Sequence, residues 1–110
     1  MAARATAALG GTEQLLLTDV AFAECIYVLE SFYEAERDQV AELMRSAIAL
    51  ATLETVDPGL LRRALEVYEL DRLDFADAYL VAQAEVTGVE VVMSFDQSID
   101  RVDTVTRREP

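Results

Sequence analysis

The chain has 110 residues, enough for one domain spanning 1–110 with a single core and too few for two. Its 53% hydrophobic content, four Gly and two Pro belong to a globular protein and exclude a disordered or low-complexity one. A net charge of -12, from 21 acids against nine arginines and no lysine, repels nucleic acid at long range and excludes broad phosphate binding; it suits a hard cation, a basic protein partner or simple solubility.

Residues 1–9 are alanine-rich and end at Gly10-Gly11, which predicts the tail of a helix closed by a glycine stop. This start lacks the apolar core of a signal peptide, and no apolar run approaches the roughly 18 to 20 residues that span a bilayer, so a cytoplasmic protein without a membrane partner is expected. Residues 14–17 form a candidate buried strand. Thr18 or Asp19 then caps a helix through about Glu36, with Phe22, Cys25, Ile26, Leu29 and Phe32 at helical spacing on its core face. Cys25, the only cysteine, reads as a small buried hydrophobe. With no histidine present, Ser-His and Cys-His nucleophiles and soft zinc clusters are excluded.

Asp38 starts a second helix that carries Val40, Leu43, Met44, Ala47 and Ile48 on one side and ends near Leu50. A strand over 52–56 leads to Asp57-Pro58, a strong helix start, because the acid accepts orphan amides and proline fits the first turn. Leu60, Leu61, Ala64, Leu65 and Tyr68 give that helix its core face. A helix over 74–86 follows, stopped by Thr87-Gly88, then a strand over 89–95 and a weak last strand around 102–105. Helices alternating with short apolar strands predict an α/β layer architecture with a mainly parallel sheet, whose ligands sit at the carboxyl ends of strands. Asp96 falls at one such end.

Three carboxylates on separate elements stand out. Asp74 and Asp77 open a helix and read either as a capping pair or, for Asp77, as an acid that the small Ala78 and Ala82 bring into a crevice. Glu24 shares a stripe with Val20 and Val28, so a partner is expected for it, either a metal ion or an arginine. Asp96 closes an apolar strand and is either a turn former or the third member of a site. Carboxylate oxygens without His or Cys select Mg²⁺ or Mn²⁺ over zinc. Arg62, Arg63 and Arg72 are candidate phosphate contacts or, as helix-surface arginines, ion-pair partners.

These stretches carry a resemblance. Val20-Ala21-Phe22-Ala23-Glu24-Cys25-Ile26-Tyr27-Val28-Leu29 resembles the second acidic motif of PIN-domain nucleases, Leu73-Asp74-Phe75-Ala76-Asp77-Ala78 the third, and Val92-Met93-Ser94-Phe95-Asp96 the fourth. The resemblance implies a three-layer α/β fold and an endoribonuclease of the VapC toxin type. Such an enzyme is dependent on Mg²⁺ or Mn²⁺, acts on RNA, is neutralised by a cognate antitoxin and is usually a homodimer. It implies Glu24, Asp77 and Asp96 as catalytic metal ligands and Ser94 as a hydroxyl lining the site. The family opens with a central strand bearing an Asp-Thr-Asn motif, whereas no Asp or Asn precedes Asp19 here. Three explanations follow: a start placed too late, with the first strand and acid in some 20 to 30 further residues upstream, which is the favoured one; a decayed relic; or a stable short variant whose site no longer cleaves; the 110-residue chain is expected to be weak or inactive. The rival expectation is a non-catalytic domain that binds an antitoxin-like protein through apolar helices.

Overall fold

The computed structural model describes residues 13–110; the helix expected over 1–9 lies outside them. Among the described residues the order is β1 (Leu15–Leu16), α1 (Asp19–Ser31), α2 (Arg37–Ile48), β2 (Leu53–Glu54), α3 (Pro58–Glu66), α4 (Phe75–Thr87), β3 (Val91–Met93) and β4 (Thr106–Arg108). A wide π-type turn, Val67–Asp71, extends α3, and a 3-10 turn, Gln97–Arg101, follows β3. The fold is α/β with parallel strand pairing.

The first three helices begin where side-chain bonds or a proline relieve the unpaired amides of the helix start. Thr18 Oγ1 accepts from Ala21 N–H at 3.1 Å, and Asp57 Oδ1 accepts from Leu60 N–H at 3.1 Å ahead of Pro58. At α2 the Glu36 N–H donates to Gln39 Oε1 at 3.1 Å. Gly88 ends α4 in the left-handed region, φ 75°, a conformation open to glycine at little cost. The helix expected to reach Glu36 stops at Ser31 instead. Phe32 and Tyr33 stack edge-on in solvent and Glu34 turns left-handed, so nothing apolar rewards another helical turn there.

One core holds the layers together. Leu60, Leu61, Ala64 and Leu65 of α3 meet Phe75, Ala78, Val81 and Ala82 of α4, with Phe22 and Ile26 of α1 and Val40, Ala41 and Met44 of α2 closing over them. Phe22 and Phe75 lie 5.6 Å apart, and Tyr68 meets Phe75 edge-on at 6.2 Å. Ala78 and Ala82 are fully buried, which lets α4 sit close against α3. Cys25 is a correction: it is exposed, since Phe22 and Ile26 take the inward face of α1.

The strands are shorter than expected and fall into two ribbons. Among the described residues β1 pairs only with β2, Leu15 opposite Leu53, and β3 only with β4, Val92 opposite Arg107. A strand bonded on one side alone keeps little regular length, because each flanking residue must find its backbone partner elsewhere. The last strand also lies later than expected. Val102 is buried beneath the 3-10 turn and donates to Ile99 O, so ladder pairing starts only at Thr106, whose N–H reaches Glu90 O at 2.8 Å.

Candidate active site

The start of α4 is held from behind. Leu73 is fully buried, and its carbonyl accepts from Arg37 Nη1 at 2.6 Å, while the same nitrogen reaches Tyr68 O at 2.7 Å. Arg37 also covers the Tyr68 ring, 4.4 Å from its centroid. This anchor aims Asp74 and Asp77 outward. Asp74 does not act as the expected cap: its side chain makes no bond to the helix amides and instead accepts from Tyr27 Oη of α1 at 3.1 Å.

Asp96 arrives from the other direction, on the turn that leaves β3. Its Oδ1 accepts from Ser98 N–H at 2.9 Å, and its own N–H donates to Ser94 Oγ at 3.0 Å. Ser94 therefore shapes the turn that presents Asp96. Arg107 adds a brace from β4, donating to Ser94 O at 3.3 Å.

The two acids meet. Partial burial raises the Asp77 carboxyl to about 6, helped by a hydrogen bond to Asp96 and by the charges of Asp96 and Asp74. Asp96 is lowered to about 2 by that same hydrogen bond, then by the Ser98 contacts. The pair therefore titrates unequally: Asp77 keeps its proton to higher pH, because Asp96 is exposed and already has donors that favour its ionised form.

Glu24 does not join them at this range. It is exposed on α1 between exposed Val20 and Val28, so water hydrates its charge and the buried setting expected for it is absent. Among the described residues no three Asp, Glu or Cys side chains gather as a metal-holding group. The nearest approach to one is the Asp77–Asp96 pair with the charge of Asp74 acting on Asp77. Two hard carboxylates held against each other suit a divalent cation that takes one or two protein oxygens and keeps its water.

Several contacts were not anticipated from the sequence. Of Thr18 and Asp19, the two residues expected to cap α1, Thr18 does so, and Asp19 accepts from Tyr79 Oη of α4. Of the three arginines marked as phosphate contacts, Arg63 is occupied, forked onto Glu85 at 2.7 and 2.8 Å and paired with Glu66 at 2.5 Å. Arg101, which nothing local in the sequence marked, donates to Arg72 O at 3.1 Å and Asp71 O at 3.4 Å, tying the turn after Asp96 to the segment before Asp74.

Among the described residues, no helix is long and apolar enough to cross a membrane. No curated protein and no solved structure matches the chain. The model of the PIN domain family matches residues 1–105, nearly the whole sequence and all three acidic segments, and the chain belongs to that family.

Proposed function

We propose that this PIN domain is the metal-dependent endoribonuclease toxin of a toxin–antitoxin pair. The observation that carries the reading is the meeting of Asp77 and Asp96, where a helix start and a strand end converge. Family membership points to a nuclease-type function. Asp77 and Asp96 would hold Mg²⁺ or Mn²⁺, with Glu24 as a third ligand when α1 and substrate draw together. A bound ion of this kind supplies a water of lowered pKa and offsets charge on the phosphodiester.

The chain's own residues have separate tasks in this reading. Asp96 stays ionised through the neutral range, and Ser98 N–H fixes one of its oxygens. Asp77 gives up its proton near pH 6, so the complete dianion exists only above that. Ser94 fixes the turn through Asp96 N–H. An antitoxin and a second copy of the chain would find apolar ground on α1 and α2, where Val20, Val28, Phe32 and Leu43 are exposed. A cytoplasmic setting goes with this role.

Thermal unfolding with added Mn²⁺ or Mg²⁺, alongside cleavage of total RNA, tests the reading. Ion-dependent stabilisation lost in Asp96→Ala and Glu24→Ala is the expected result. Stability indifferent to either ion overturns it and favours the second reading, a non-catalytic domain that binds an antitoxin-like protein through the exposed apolar residues of its helices.

A further inference from the structure

Arginines in so acidic a chain find carboxylates readily: Arg45 pairs with Glu69, Arg63 with Glu85 and Glu66, Arg107 with Asp100 and Glu109. Arg72 and Arg101 make no salt bridge among the described residues, although both are exposed and 21 acids are available. Arg62 and Arg108 share that property; Arg108 meets the acid-bearing strand through its backbone alone, its carbonyl accepting from Ser94 N–H at 3.0 Å, whereas Arg101 and Arg72 stand on the turn after Asp96 and the segment before Asp74. Arg101 closes the 3-10 turn that Asp96 opens, and its Nη1 spends both hydrogens on the carbonyls of Asp71 and Arg72. Three N–H donors of its rigid fork remain, the arrangement that matches a phosphate. Its positive charge also acts on Asp96. Arg72 stands two residues before Asp74 with φ 60°, a conformation unfavourable for a side-chain-bearing residue and of the kind retained at ligand sites.

We propose that Arg101 and Arg72 form a phosphate-binding rim beside Asp77 and Asp96, holding the backbone of a single-stranded RNA against the acids. The assignment rests on the nuclease reading and names how its substrate is gripped. A net-acidic protein cannot gather RNA by its overall field, so a local pair of unpaired cations next to the reacting phosphate has to supply the attraction. Because the contacts are to phosphate, they carry no base preference.

Fluorescence anisotropy of a short labelled oligouridylate, with Ca²⁺ replacing Mg²⁺, reads affinity across a KCl series. Arg101→Gln combined with Arg72→Gly is expected to weaken binding about tenfold at low salt and to flatten the slope of log K against log salt by about 1.4, two single-strand phosphate contacts. Arg72→Gly by itself should flatten it by about 0.7 in a protein that folds normally, since glycine accepts a positive φ. Arg45→Gln, which removes the same charge from α2, should leave the slope unchanged. Weaker binding with an unaltered slope would mean that Arg101 only stiffens the turn, and overturns the rim. An unaltered affinity in the double variant, in a parent that binds RNA and loses cleavage on Asp77→Asn, overturns the rim and leaves the nuclease reading standing. A parent that binds no RNA overturns both.

Discussion

Asp77 and Asp96 share one hydrogen bond between carboxyl groups, the first projecting from the opening turn of α4 and the second from the turn that closes β3. Two carboxylates cannot stay this close while both are ionised unless something positive lies with them. In the chain alone that something is a proton. A divalent cation would compete for the same place, which makes proton and metal binding two readings of a single electrostatic demand.

The competition sets the pH dependence of stability. Asp77 has its folded pKa raised from 3.8 to about 6, so the folded state holds the proton more tightly than the unfolded one. That contribution is complete below the unfolded value and is lost as pH rises through about 6. After allowance for solvent screening it amounts to about 1 kcal/mol. Melting temperature should therefore fall between about pH 4 and 7 without metal, and Asp77→Asn should remove the fall. Added Mn²⁺ should restore stability at about pH 7.5 and have little effect at about pH 5, where the proton still occupies the pair. An equal response to Mn²⁺ at both pH values would rule out the shared place.

Glu85 gives a dependence of opposite sign. It accepts both arms of the Arg63 fork and Thr104 Oγ1 at 2.6 Å, joining α3, α4 and the approach to β4. Arg63 lowers its pKa, so the stabilisation is present above the unfolded value near 4.5 and is lost as pH falls through the folded one. Glu85→Gln is expected to cost about 1 to 2 kcal/mol at neutral pH, measured by urea denaturation, with a shrinking difference in acid. A variant as stable as the parent at neutral pH would show the fork to be idle.

Local chemistry was legible in the sequence, and partnership across the chain was not. Asp57-Pro58 and Gly88 act where they stand, so the starts and stops they encode are those of α3 and α4. The burial of Phe22, Ile26, Ala78 and Ala82 follows from spacing along a helix. Asp74 looked like a cap because its neighbours were all the sequence displayed, yet its partner Tyr27 lies 47 residues away. Strand length failed for a similar reason, since each ribbon depends on an edge that no local pattern reveals. Glu24 was read as sitting on an apolar surface from the stripe Val20, Glu24, Val28; the stripe is real and faces solvent.

The aromatic cluster beneath the site should be cooperative. Phe75 is buried against Phe22, Tyr68 and Tyr79, two residues from Asp77. Phe75→Ala is expected to cost about 3 to 5 kcal/mol, enough to unfold a marginal domain. Phe75→Leu is the usable probe. Combined with Phe22→Leu in a double-mutant cycle, it should give a coupling of about 0.5 to 1.5 kcal/mol by chemical denaturation. Strict additivity would mean that the two rings contribute by burial alone.

The two ribbons should open well before the helical core does. β1 and β2 are joined by short ladders such as Leu15 N–H to Thr52 O and Leu17 N–H to Glu54 O, both 2.8 Å, and β3 holds only β4. Two-stranded ribbons are marginal in water, and the alternation of bonding leaves the far edge of each without a neighbour in its sheet. Amides of α3 and α4, buried in the common core, should exchange only on global unfolding. Those of Leu15, Leu17 and Thr106 should exchange by local opening, at rates at least about a hundredfold faster in hydrogen-exchange mass spectrometry. An added strand that bonded both free edges would erase that difference, because opening either ribbon would then require breaking the sheet through its middle. Ribbon amides already as slow as those of Leu61 and Val81 would mean that the edges are covered in solution.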